Sequence, residues 1–145
     1  MSGKLFRIGS FFFLLQLILV LAAQSATVVS WKSLKKLDDL AERSEALCER
    51  KAVAELRELA PAIKKAAAAV IADPVPAGAK DPAQVKVLQG DLKSLSDALS
   101  NPKQQDGVEL TAILSGIHPI VEKMMEAAGM PHVHEDEKQS RKAKP

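Results

Sequence analysis

Val53, Leu56, Ala60, Ile63, Ala67 and Val70 recur at spacings of three, four, three, four and three. That period is the seam of an α-helix packed nearly parallel to its neighbours, and a strand, with its period of two, would scatter these side chains over both faces. Comparable stripes lie on either side. Trp31, Leu34, Leu37, Ala41, Ser44 and Cys48 follow one side of a segment from about Trp31 to Leu47, and Leu40 and Leu47 widen it. Val85, Leu88, Leu92, Leu95 and Leu99 step by three and four between Pro82 and Ser100. Leu110, Ile113, Ile117, Val121 and Met124 form a fourth stripe. No segment alternates with period two between turn signals. The four helical segments predict an all-α, up-down-up-down four-helix bundle over residues 26–130.

Turn and cap residues predict where these helices stop. Asp73 to Lys80 (DPVPAGAK) cannot continue a helix. Asp81-Pro82 then supplies an N-cap and a proline at the first helical position. Asp106 and Glu109 have the spacing of a capping box, Gly129 suits a C-cap, and Ser30 suits the N-cap of the first helix. Two points stay open. Glu49-Arg50-Lys51 holds neither Gly nor Pro, so the first two segments read as two helices or as one long one. Pro61 either kinks the second helix, at a cost of about 3 kcal/mol through its clash with the Arg57 carbonyl, or starts a new one.

The N-terminus reads as an export signal. Lys4 and Arg7 precede a nearly unbroken apolar run from Phe11 to Ala23, and Ala23-Gln24-Ser25 approximates a cleavage site. Residues 1–25 are therefore expected to be a signal peptide, placing the mature chain in the periplasm or outside the cell. The competing reading is an uncleaved anchor, since no charge falls between Ile8 and Trp31; membrane association is expected only through this segment. The tail from residue 131, PHVHEDEKQSRKAKP, is charged and is expected to be disordered.

Loss of residues 1–25 removes Lys4 and Arg7 from the 20 basic residues and none of the 18 acidic ones, so the mature chain is formally neutral. A nucleic-acid binder needs a basic face to meet phosphate, and none is present in this balance. All four phenylalanines leave with the signal and only Trp31 remains, which argues against stacking platforms for bases or sugars. Cys48 is the only cysteine, so disulfide staples within the chain and C-x-x-C-H haem attachment are both excluded; at helical spacing from Ala41 and Ser44 it reads as a small core hydrophobe. Nucleophile elbows and phosphate loops are absent, and the chain is expected not to be an enzyme. Asp38-Asp39, Glu42 and Glu45, interleaved with Lys35, Lys36 and Arg43, read as a solvated helix face.

In plan the chain resembles the cytochrome b562 family of periplasmic haem proteins. The shared features are a signal peptide, four helices in about 120 residues, a proline-containing linker between helices two and three, and a histidine in the last helix, His118 or His132. The resemblance covers Trp31 to about His132 and implies a helical bundle with a haem site. Family members ligate haem through a methionine early in helix one, where this chain has Trp31 or Leu34.

The residues themselves point to the stretch GIHPIVEKMMEAAGMPHVHE, from Gly116 to Glu135, which holds all the histidines and every methionine after Met1. Leu114, His118, Val121 and Met125 share a helix face. Imidazole with thioether suits copper or haem iron, so His118 and Met125 are the expected cofactor ligands. His132 and His134, ahead of Glu135, Asp136 and Glu137, are expected to hold zinc, nickel or Cu(II). His118 has a second reading: it satisfies the Ser115 carbonyl, which Pro119 cannot reach with an N–H. The expected protein is an exported, non-enzymatic bundle that binds haem or a transition metal; the alternative is a cofactor-free structural or interaction protein of the cell envelope.

Overall fold

A computed structural model describes residues 29–102 and 104–131; the expected signal segment and the tail from His132 onward lie outside these residues. The first helix, α1, spans Lys32–Glu49 and buries Leu34, Leu37, Ala41 and Leu47. Its N-cap is Trp31 rather than Ser30, and no side chain caps it there. The helix start is instead held from across the fold: the Asp73 carboxylate accepts hydrogen bonds from the Trp31 indole (3.0 Å) and from the Ser33 hydroxyl.

The open boundary after α1 is a sharp break. Lys51 takes φ 55°, its N–H bonds the Cys48 carbonyl, and the Ala52 N–H bonds the Leu47 carbonyl, both at 3.0 Å. This is a Schellman closure with lysine where glycine is usual, and the left-handed backbone strains a residue with a Cβ by about 1 kcal/mol. The second helix, α2, is continuous from Val53 to Ala72 with Pro61 inside it. Pro61 sits on the exposed side, so its ring disturbs no packing and a second helix start is not needed. The buried face of α2 includes Leu56, Ala60, Ile63, Ala67 and Val70, the residues of the seam.

The third helix, α3, spans Pro82–Ala98 and buries Val85, Leu88 and Leu92. The Asp81 carboxylate accepts from the Gln84 N–H at 3.0 Å, the expected cap, while the Asp81 N–H donates to the Ala127 carbonyl at 2.8 Å and ties this corner to the end of the chain's last helix. The fourth segment is divided into α4, Gly107–Ser115, and α5, Ile117–Ala128. Asp106 caps α4 by accepting from the Val108 and Glu109 N–H groups at 2.9 and 3.3 Å. Pro119 lacks the N–H that would bond Ser115, and the break falls just upstream, where the Gly116 N–H turns to the Ile113 carbonyl at 3.1 Å. Gly116 also lies against α3: a Cβ there would stand 3.1 Å from Leu95 Cδ1. Gly129, at φ 73°, ends α5 as expected.

Counting α4 and α5 as one interrupted arm, the described residues form four helical arms packed against one another, with no strand among them. α1 packs on α2 and on both halves of the last arm, and α3 packs on α2 and α5. Leu34, Leu56, Ile63, Leu92, Leu110 and Ile117 meet in the fully buried centre. Side chains from α2 secure the turn between α3 and α4: Lys64 Nζ donates to the Leu99 carbonyl at 2.7 Å and Arg57 Nη2 to the Gln105 carbonyl at 3.1 Å.

Three changes test this arrangement by chemical denaturation. Leu92→Ala, at a site with 0% exposure, lowers stability by about 2–5 kcal/mol; a loss below about 1 kcal/mol would mean that its face does not point inward. Pro61→Ala restores a helical N–H at an exposed position and raises stability by about 2 kcal/mol. Lys51→Gly relieves the left-handed backbone and raises it by up to about 1 kcal/mol.

Candidate metal centre

Asp38, Glu42 and Glu45 follow one another on α1 by four and three residues and therefore share a face. That face meets α5. Asp38 is only 8% exposed, Glu42 is half-buried, and only Glu45 keeps about half of its side chain in solvent. The solvated-face reading of these carboxylates is thus corrected: it holds for Asp39, which is exposed, and fails for Asp38. The signal for Asp38 was present in the stripe itself. It stands four residues after Leu34 and three before Ala41, both fully buried, so its Cβ lies on the seam.

His118 is the second residue of α5 and is 5% exposed. Four residues after Leu114 and three before Val121, it too lies on a buried stripe. Its Nδ1 donates to Glu45 Oε2 at 2.6 Å, so the imidazole turns this nitrogen to α1 rather than to the Ser115 carbonyl. A carboxylate oxygen can only accept, which places a proton on Nδ1; in the neutral ring Nε2 is then the electron-pair donor. Nε2 lies 4.0 Å from Glu122 Oε1, one helical turn further along α5. Sequence reasoning singled out His118 but missed these partners, because Glu45 is 73 positions away.

The ligand atoms of Asp38, Glu42 and His118 all lie within 4.8 Å of one another. An ion bound at ~2.0–2.2 Å to each of its donors holds them roughly 3–4 Å apart, so small side-chain rotations would close this triangle on a metal. Carboxylate oxygen with imidazole nitrogen suits Zn²⁺, Mn²⁺ and similar divalent ions.

Met125 is buried, two turns beyond His118 and about 10 Å along the helix. It is not part of the triangle. It lines a cleft of about 340 Å³ with Trp31, Asp38, Met130 and Pro131, so the cleft opens beside the carboxylate that the metal group shares. His132 and His134 lie outside the described residues. Cys48 is half-buried, with Sγ 3.8 Å from the Thr111 carbonyl. Burial pushes its thiol pKa up, with the Ser44 hydrogen bond opposing and the Glu45 charge adding to the rise, consistent with an inert packing role.

No protein-family model, curated protein or solved structure matches this chain.

Hydrogen bonds from Ser33 and then Trp31 hold the Asp73 carboxylate below its ordinary pKa of 3.8. A depressed acid contributes stability that is complete above its unfolded value and is lost as pH falls through the folded one. Wild type is therefore expected to exceed Asp73→Asn in stability at pH 5–7, with the gap closing as pH drops below about 4. A gap unchanged down to pH 2 in paired denaturation curves would show that Asp73 does not hold the start of α1 through its charge.

Proposed function

We propose that this protein is an exported, non-enzymatic four-helix bundle that binds a divalent transition-metal ion between α1 and α5 through Asp38, Glu42 and His118. The observation that carries the reading is the convergence of three metal-ligating groups from two helices within 4.8 Å, two of them buried. Buried ionisable groups are costly unless they are paired or coordinate a metal, and two of these stand on largely apolar seams.

Cross-links between the helices support an up-down-up-down course. The start of α1 meets the end of α2 through Trp31 and Asp73, and the end of α2 meets α3 through Gln89, whose amide donates to the Val70 and Asp73 carbonyls. The start of α3 meets the end of α5 through Asp81 and Ala127. Glu45 meets His118 while Trp31 and Asp38 share a cleft with Met125 and Met130, so α1 and α5 run in opposite senses. The export assignment rests on the apolar run and small residues of positions 1–25. No helix among the described residues is long and apolar enough to cross a membrane.

The plan resembles that of the cytochrome b562 family, but the donors favour a different cargo. α1 presents Asp38, Glu42 and Glu45 to His118 and contains no methionine, and carboxylate-rich sites suit hard or borderline divalent ions better than haem iron.

Calorimetric titration of the purified chain with Zn²⁺ is expected to show one ion per chain, with affinity lost by at least about 100-fold in both Asp38→Asn and His118→Ala. Zn²⁺ at 100 times its Kd is expected to raise stability by about 2.7 kcal/mol in the wild type alone. A folded wild-type bundle that binds no metal, or binds it equally well in both variants, would replace this reading with that of a cofactor-free envelope protein.

A further inference from the structure

We infer that Glu45 is the positioning residue of this centre and Glu122 its fourth ligand, so that the site is a one-imidazole, three-carboxylate clamp for a divalent ion such as Zn²⁺ or Mn²⁺ and discriminates against Cu⁺. The inference rests on the metal reading above and goes further by assigning coordination and selectivity.

The role of Glu45 follows from one short hydrogen bond. At 2.6 Å, the Nδ1–H to Oε2 separation is that of a charge-assisted bond. It selects the tautomer in which Nε2 carries the lone pair, the form that a metal requires. A ligating histidine whose second nitrogen is held by a carboxylate is more basic and fixed in orientation, and loss of that carboxylate weakens metal binding by about 10–100-fold. Glu45 also lies on the same α1 face as Asp38 and Glu42. It therefore ties the ring on α5 to the helix that carries the other two ligands. Because about half of the Glu45 side chain is in solvent, its replacement removes the tie without opening the core.

Glu122 follows His118 by four residues and so stands over it on α5. Its Oε1 is 4.0 Å from His118 Nε2, close to the separation of two donors on one ion. α1 repeats the device, since Asp38 and Glu42 are also four residues apart. Each helix thus offers a pair of donors one turn apart, and His118 of the α5 pair lies within 4.8 Å of both members of the α1 pair. Because metal ligands bind in their deprotonated forms, three carboxylates and one imidazole would present a charge of about −3 to the ion, which favours a dication over a monovalent ion. The donors contain no thiolate or thioether to prefer Cu⁺.

The test uses the full folded chain with Zn²⁺, Mn²⁺, Co²⁺ and, under reducing conditions, Cu⁺ as probes. Glu45→Ala is expected to weaken Zn²⁺ binding by about 10–100-fold. Glu45→Gln, whose carbonyl oxygen can still accept from Nδ1–H, is expected to recover most of that loss. Nitrogen-15 NMR of His118 in the metal-free protein is expected to show the Nδ1–H tautomer in the wild type and a mixture in Glu45→Ala, a change that a merely structural role would not produce. Glu122→Gln is expected to weaken binding at least tenfold and to alter the visible spectrum of the Co²⁺ form. The wild type is expected to prefer Zn²⁺ and Mn²⁺ to Cu⁺. Unchanged affinity in Glu45→Ala, with Asp38→Asn still abolishing binding, would overturn the positioning role and leave the metal site standing. An unaltered Co²⁺ spectrum in Glu122→Gln would overturn the fourth ligand, and preference for Cu⁺ would overturn the selectivity. Absence of any metal binding by the wild type would instead overturn the reading on which this inference rests.

Discussion

The buried faces of α1 and α5 carry an imidazole and a carboxylate among residues that, Ser44 aside, are apolar. An unpaired charge there would cost several kcal/mol, which is a large part of the total stability of a domain this size. The interface therefore works only if the two helices hold one register. Glu45 must reach His118 Nδ1, and Asp38 must come within 4.8 Å of the same ring's donor atom. A slide of one helix by a turn, about 5.4 Å, would leave the apolar stripes in rough contact but would strand both buried groups. Apolar packing drives the helices together, and the polar pair selects among the alignments that packing alone would tolerate.

That register is reinforced at the helix ends. Trp31 and Ser33 are held by Asp73, Asp81 by the Ala127 carbonyl, and the Leu99 carbonyl by Lys64. Each tie joins the end of one arm to a different arm, so the ends cannot shift independently. The α1–α2 break has the same consequence. Lys51 accepts an unfavourable backbone so that the chain reverses within three residues, and the short connection limits how far α1 can move along α2. Strain at one residue is small beside the apolar area that the close pairing of α1 and α2 removes from water.

Much of this was legible from local pattern. Apolar spacing identified all four arms, and Asp81-Pro82, Asp106 and Gly129 marked three of their ends, because caps and turns depend on residues adjacent in sequence. The misplacements share a different cause. Ser30 has the right chemistry for an N-cap, but the partner that holds the start of α1 is Asp73, 42 positions from Trp31. Lys51 gave no turn signal, since a left-handed lysine is tolerated only when the surrounding fold requires it. Pro61 looked disruptive from the sequence and is simply accommodated on the outer face of α2.

The candidate donor cluster shows the same limit with a sharper lesson. His118 was visible because a lone histidine on an apolar stripe is conspicuous. Asp38 occupies an equivalent position, between Leu34 and Ala41, but neighbouring lysines and acids give its surroundings the pattern of a solvated surface. Charge density describes a segment, whereas burial is decided residue by residue through the helical period. Asp38 and Asp39 differ by a single position, about 100° around the helix, and that rotation separates a carboxylate in the interface from one in water. A polar residue in phase with an apolar stripe on each of two packed helices is therefore the informative pattern. When the residues so placed are a carboxylate and an imidazole, the helix contact that buries them also brings metal-binding donors together.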